Sequence, residues 1–290
     1  MANRILFSII AINLLLAGCV SIPDRHGTLG KYNGSGDINT ECFNKDSILP
    51  SHNPATTQQI AELNSRGFRV LNWNSHKESN KAWQGDLERL MSQSDLVILQ
   101  EGYLTDALQD LLNKKQYYWD ISKAFAYKDI YTGVLTGSRI KPDFLCSLRE
   151  PEPLSGMPKT ALITRYPLSG TDVSLIMVNI HMINFSFDLS VYRAQLENIV
   201  KIVSQHRGPL IIAGDFNSWN TKRLGILTEV TEQLDAIPVA FDTDHRATFM
   251  RQRVDHIFYR QLVPLEALTE KVTTSDHNPM LVTFRLADDV

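Results

Sequence analysis

Residues 209–217 read Pro209-Leu210-Ile211-Ile212-Ala213-Gly214-Asp215-Phe216-Asn217. A short unbroken apolar run suits a strand buried on both faces, inside a layered α/β fold. Gly214 ends the run, and Asp215 and Asn217 follow it out of the sheet. Ligands collect at such strand ends in α/β proteins. The same arrangement recurs along the chain. A first strand over Phe68–Asn74 ends in Asn74. A short apolar run over 95–101 ends in Glu101. A strand over 173–181 ends in His181. A strand over 253–259 carries Asp255, and Asp276-His277 precede a last strand over 280–284. Further strands are predicted at 130–136 and 160–165.

Helical spacing appears between these runs. Residues 82–91 space Trp83, Leu87 and Leu90 for a helix, and 104–112 read as the next one. Over 192–203, Leu196, Ile199, Val200 and Val203 make one apolar stripe. The alternation predicts a single α/β domain over 61–290, large enough for a substantial core.

Composition agrees with a folded enzyme-sized domain. Hydrophobic residues make up 43% and charged residues 21%, with a formal net charge of −3. Disordered, collagen-like and disulfide-dense classes are excluded. The acidic balance argues against a protein held on nucleic acid by bulk positive charge.

The amino terminus reads as an address. Asn3 and Arg4 precede an apolar stretch over 5–17, broken by Ser8 and Asn13. A bilayer span needs about 20 apolar residues, so a secretory signal fits better. Leu16-Ala17-Gly18-Cys19 resembles a bacterial lipobox. That resemblance implies a signal peptide over 1–18 and a lipid anchor at Cys19. Val20, where inner-membrane lipoproteins carry Asp, implies the periplasmic side of the outer membrane. Residues 19–60, with Gly27, Gly30, Gly34, Gly36, Pro23, Pro50 and Pro54, read as a loop-rich tether. Cys42 and Cys146 then remain, either bridged in an oxidising compartment or as two separate buried thiols. Neither has a CxxC partner, which argues against zinc.

Oxygen donors dominate the strand ends, which suits a hard cation such as Mg²⁺. No paired-His zinc helix, Gly-rich phosphate loop or Gly-x-Ser-x-Gly elbow is present. Six motifs occur in order: Leu-Asn-Trp-Asn74, Leu-Gln-Glu101, Asn179-Ile-His181, Gly214-Asp-Phe-Asn217, Val254-Asp-His256 and Ser275-Asp-His277. Together they resemble the endonuclease/exonuclease/phosphatase superfamily over residues 68–285. That superfamily includes abasic-site endonucleases, deoxyribonuclease-like enzymes, sphingomyelinases and inositol-polyphosphate phosphatases.

The resemblance implies a four-layer α/β sandwich of two packed mixed sheets flanked by helices, with the site at one edge. It implies an Mg²⁺-dependent phosphoesterase, with Mn²⁺ as the alternative metal. Glu101, Asn74 and Asp276 are the implied metal residues. His277 is the implied base or phosphate clamp, with Asp255 orienting it. Asp215 would orient the attacking water or protonate the leaving oxygen. Asn217 would donate to the phosphoryl group, and His181 would hydrogen-bond the phosphate. His256 is set aside as a strand residue. His76, Lys159, Arg139 and Arg193 read as surface charges.

Nucleic acid is the first substrate expectation. Arg246, Arg251, Arg253 and Arg260 surround the Asp255 strand, and Lys222-Arg223 follow the Asp215 loop. The alternatives are a phosphatase, a sphingomyelinase-like phospholipid phosphodiesterase, or a catalytically silent binding lipoprotein. The Phe185-Ser186-Phe187 stretch reads as core packing, with an apolar loop as its alternative. No protein partner is predicted.

Overall fold

A computed structural model of the chain describes residues 20–24, 27–30, 42, 61–186 and 188–288. The signal peptide over 1–18 and the lipid-anchor residue Cys19 lie outside these. In chain order the strands are β1 (Val20–Ser21), β2 (Thr28–Gly30), β3 (Phe68–Asn74), β4 (Leu96–Tyr103), β5 (Tyr118–Tyr127), β6 (Ile130–Ser138), β7 (Phe144–Pro151) and β8 (Pro158–Pro167). They continue as β9 (Ser174–His181), β10 (Leu210–Asp215), β11 (Ile237–Pro238), β12 (Thr248–Phe249), β13 (Gln252–Arg253), β14 (Asp255–Arg260), β15 (Leu262–Thr269) and β16 (Met280–Leu286). The helices are α1 (Trp83–Met91), α2 (Asp106–Lys114), α3 (Leu189–Val203) and α4 (Thr221–Glu232).

One sheet runs β1-β5-β6-β4-β3-β16-β15, with β2 also on β5. The other runs β11-β14-β10-β9-β8-β7. Each sheet is mixed because it holds one parallel pair, β3 with β4 and β9 with β10. Parallel neighbours need a crossover, and helices supply it. α1 lies between β3 and β4 in the chain, and α3 between β9 and β10.

Strand alternation sorts side chains into layers. Val70, Leu96, Ile98, Met280 and Val282 of the first sheet pack on Leu175, Met177, Ile211, Ala213 and Ile257 of the second. Leu71, Trp73, Val97 and Leu99 point the other way, onto Leu87 and Leu90 of α1 and Leu108 and Leu111 of α2. Ile176, Val178, Ile180 and Ile212 meet Leu196, Ile199 and Val203 of α3 and Leu227 and Val230 of α4. The result is the four-layer sandwich. Each buried Leu or Ile contributes about 1.5–3 kcal/mol relative to exposure.

Beneath the site edge the inter-sheet layer turns polar. Gln100 Nε2 donates to Asn72 Oδ1 at 3.0 Å and to Asn179 Oδ1 at 2.8 Å. Asn179 Nδ2 donates to the Leu135 carbonyl at 2.9 Å. These amides tie the two sheets together, because a buried polar group left unpaired costs about 1–3 kcal/mol.

Ahead of residue 61, the described residues 20–24, 27–30 and 42 include two short strands and one cysteine. β1 and β2 both pair with β5. Cys42 forms a disulfide with Cys146 of β7, with a Cα–Cα distance of 4.8 Å. The described parts of this segment thus lie against the edges of both sheets.

Candidate active site

β3, β4, β9 and β10 bring their carboxyl ends to one edge of the sandwich. In the second sheet Asp215 pairs with His181 on one side and with Asp255 on the other. Cross-strand partners share a face, so one ladder row presents all three side chains together. Gly214 permits that row. A Cβ there would sit 1.9 Å from the Ile180 carbonyl oxygen.

In the first sheet the register shifts between Leu99 and Gly102. Simple alternation would turn Glu101 toward the helices with Leu99. The bulge and a φ of 53° at Glu101 re-aim it into the site. Asn74, at the end of β3, reaches across the sheets. Its Nδ2 donates to Asp215 Oδ2 at 3.0 Å.

His277 arrives from the loop before β16. Trp73 Nε1 donates to its carbonyl at 2.9 Å, and its own N–H donates to Ser275 Oγ at 3.1 Å. His277 Nδ1 lies 2.7 Å from Asp255 Oδ2, and its Nε2 lies 4.0 Å from Asp215 Oδ2. Asp215, Asp255 and His277 thus form a compact group of acids and imidazole. Asp255 Oδ1 is buried without a partner.

Charge follows from these contacts. Burial alone would depress the His277 imidazolium, but Asp255 overrides it and pushes its pKa up to about 10. Burial raises the Asp215 carboxyl to about 6 against the pull of His277. Burial would raise Glu101 too. The His181 imidazole when protonated, and the ammoniums of Lys77 and Lys159, outweigh it and hold it at about 2. Burial and Lys159 push His181 well below its usual value. A neutral His181 leaves the two lysines as the cations that Glu101 answers.

The cavity between the sheets' ends measures about 330 Å³. Asn74, Glu101, His181, Asp215, Asn217, Asp276 and His277 all line it. Asp255 stands behind His277. Asp276 sits at the rim, 61% exposed, with its Oδ1 3.2 Å from His76 Nδ1. Asn217 Nδ2 donates to the Met182 carbonyl at 2.9 Å. The eight expected residues therefore converge.

Other residues join them. Lys77 makes an ion pair with Glu101. Lys159 Nζ lies 2.9 Å from His181 Nε2, so this lysine, expected on the surface, lines the cavity beside Lys77. Glu152 Oε1 accepts from the N–H groups of Asn184 and Phe185 at 2.6 and 2.9 Å and pins the loop after β9. No motif marks Lys77 or Glu152. Their one sequence signal is nearness, Lys77 standing three residues past Asn74. His76 also lines the cavity. Arg139 and Arg193 lie elsewhere, on the Lys115 carbonyl and on Glu229. His256 is structural, bonded to Ser218 Oγ at 2.9 Å and stacked on Phe258.

Two expectations change. Phe185 is 57% exposed at the mouth and is not core packing; Phe187 lies outside the described residues. The basic residues do not form an open track. Arg246 and Arg253 pair with Asp244 at 2.8 and 3.0 Å. Arg223 and Arg260 are buried and spend their guanidiniums on backbone carbonyls.

A donor set of two carboxylates and a carboxamide oxygen suits a hard divalent cation. The Lys77 ammonium against Glu101 shows that the carboxylate already draws a positive charge into this position.

A sequence profile of the Endonuclease/Exonuclease/phosphatase family matches residues 61–277, and the chain belongs to that family. Members of this superfamily are phosphoesterase hydrolases, nucleases and phosphatases among them, and typically depend on a divalent metal. The chain is 38% identical over 231 residues to UPF0294 protein plu0699 of Photorhabdus laumondii, covering 80% of this chain and 88% of the relative. It is 34% identical over 269 residues to UPF0294 protein VV2535 of Vibrio vulnificus, covering 92% and 90%. Among solved structures, an endonuclease/exonuclease/phosphatase from Bacteroides vulgatus superposes with a TM-score of 0.59 at 18% identity, covering 76% of this chain and 99% of that one. The human Nocturnin catalytic domain with bound sulfate gives 0.57 at 17%, covering 79% and 97%. These two likenesses concern the fold.

Proposed function

We propose that the protein is an Mg²⁺-dependent phosphodiester hydrolase. One observation carries the reading: Glu101, Asn74 and Asp276 line one cavity together with Asp215 and His277, and Asp255 backs His277. Glu101, Asn74 and Asp276 would hold the metal, which when bound supplies positive charge to a phosphoryl oxygen. Asp215 takes a proton from water, whose oxygen bonds to phosphorus as the opposite P–O bond breaks. The leaving oxygen ends protonated. Asp255 fixes the His277 tautomer, so that Nε2 faces the cavity as a cationic clamp on the phosphoryl oxygens. Lys159 adds a second cation, and Asn217 holds the loop that aims Asp215.

The sequence puts a nuclease first among the specific activities. Only Lys222 and Arg251 of its six basic residues stay outside the pairs described above. The exposed Phe185 and Leu154 beside the cavity favour a phospholipid or other apolar phosphoester as the second reading. The Leu16-Ala17-Gly18-Cys19 run supports a lipid anchor at the periplasmic side of the outer membrane. Among the described residues no helix is long and apolar enough to cross a membrane.

The test incubates the protein with bis-p-nitrophenyl phosphate, plasmid DNA, RNA and phospholipid, with Mg²⁺ or with EDTA. Turnover that EDTA abolishes, and that Glu101→Ala and His277→Ala both remove, is expected. Silence on every phosphoester would sink the proposal and leave a binding lipoprotein.

A further inference from the structure

Arg223 is fully buried, which is unusual for a guanidinium. It sits in the first turn of α4, where its N–H donates to the capping Asn220 Oδ1 at 2.9 Å. A cation is disfavoured there twice, by burial and by the positive end of the helix dipole. Its Nε is also buried without a partner. Packing alone would put an apolar side chain here, as α4 does on the same face at Leu227 and Val230.

Its contacts explain the position. The guanidinium carbon lies 4.7 Å from the centre of the Tyr192 ring and 4.8 Å from that of Trp219, so aromatic faces hold the plane. Nη1 donates to the Ile183 carbonyl at 2.6 Å and to the Asn217 carbonyl at 3.1 Å. Nη2 donates to the Asn184 carbonyl at 2.8 Å. Ile183 and Asn184 follow His181, and Asn217 follows Asp215. One flat, rigid fork therefore sets the spacing between two loops of the site. Glu152 grips the first of these loops from its N–H side, at Asn184 and Phe185. That loop is the fixed post, and Asn217 is the part held against it.

Asn217 needs holding. Its φ is 46°, in the left-handed region that a residue with a side chain keeps only when its surroundings fix it. Its carbonyl is taken by Arg223 and its Nδ2 by the Met182 carbonyl. Its N–H donates to Asp215 Oδ1 at 2.9 Å. That bond sets the rotation of the carboxylate and leaves Oδ2 toward Asn74 Nδ2 at 3.0 Å and His277 Nε2 at 4.0 Å.

We infer that Arg223 is a positioning residue for the hydrolysis. It stands behind the cavity and is not part of its lining. By holding the Asn217 carbonyl against the loop that Glu152 anchors, it fixes the left-handed Asn217 peptide. Through the N–H of that peptide it aims Asp215 at the attacking water. The inference rests on the hydrolase reading, in which Asp215 is the base.

The test uses the full chain with Mg²⁺ and bis-p-nitrophenyl phosphate. Arg223→Lys keeps the charge, but one ammonium cannot bridge both loops. Its kcat should fall about 100-fold, the cost of a misplaced reacting group, while KM stays within about twofold. In an Asp215→Ala background the same substitution should change kcat less than about twofold, because the group it aims is gone. In a Glu101→Gln background the full loss should recur. Equal losses in both backgrounds, or parent kinetics for Arg223→Lys, overturn the role. Hydrogen exchange on the parent needs neither a variant nor turnover. Amides in the peptides over 182–186 and 215–218 should exchange as slowly as those of β10. Exchange at open-loop rates overturns the clamp. If the parent turns over no phosphoester, the hydrolase reading fails, and the exchange rates still judge the clamp.

Discussion

The β3–α1–β4 unit and the β9–α3–β10 unit share a plan: parallel strands, a helical crossover and polar residues at one edge. They hold those residues differently. In the second sheet, Asp215 and Asp255 are buried in a regular ladder row, and His277 is fixed against them. In the first, Glu101 stands on a bulge, and His76, Lys77 and Glu78 follow Asn74 with φ between 51° and 58°. Such left-handed backbone is costly for residues with side chains. The second sheet offers a prearranged proton site. The first offers a carboxylate on strained backbone, held by an exchangeable lysine.

The largest effect should come from the fixed half. Asp215→Ala is expected to lower bis-p-nitrophenyl phosphate turnover by about 10³-fold, the range for a lost general base. A loss under tenfold would move the base elsewhere. In the adjustable half, Glu101→Gln should raise half-saturating Mg²⁺ roughly 100-fold or more, at least the top of the range for losing a residue that merely supports a metal ligand. Lys77→Met should act in the opposite direction and lower that requirement. If both variants leave the Mg²⁺ titration alone, Glu101 is no ligand and the contrast between the halves fails.

A stability measurement sharpens the comparison further. The disulfide closes a sequence separation of 104 residues, between the amino-terminal segment on the first sheet and β7 of the second. Replacing Cys42 and Cys146 with Ala should cost about 4 kcal/mol in a urea melt. An unchanged midpoint would mean that the core alone clamps the halves.

The smallest effect concerns Asp120 on β5. Burial pushes its carboxyl up to about 8. The native state then binds a proton that the unfolded chain releases near pH 4, so stability falls as pH rises from about 4 to about 8. Asp120→Asn should therefore raise the Tm at pH 8 and change it little at pH 4. Thermal melts at the two pH values check the sign.

Much of this arrangement is legible in the amino-acid sequence. Short apolar runs ending in Asn74, Glu101, His181 and Asp215 place four of the site's strands, because polar residues at strand ends interrupt hydrophobicity abruptly. β5 was not legible. It reads Tyr118-Trp-Asp-Ile-Ser-Lys-Ala-Phe-Ala-Tyr127, and Asp120, Ser122 and Lys123 are buried within it, which hides the alternation. β7 and β15 carry no clear strand signal in the sequence either. α4 escaped because Gly225 and several β-branched residues weaken its periodicity. Lys77 and Glu152 were invisible for another reason. Their roles depend on a bulge and on a distant loop, and neither has a local pattern.

The disulfide also makes the protein a mechanical object. A pull on the chain ahead of Val20 loads the short β1–β5 register first and the β2–β5 register next. If both peel away, the load stops at Cys42, whose covalent bond transfers it to β7 and spares the strands that carry Asp215 and Glu101. The stretch from residue 20 to residue 42 then sets a leash of about 80 Å at full extension. That length limits how far the site could retreat from wherever its amino terminus is fastened.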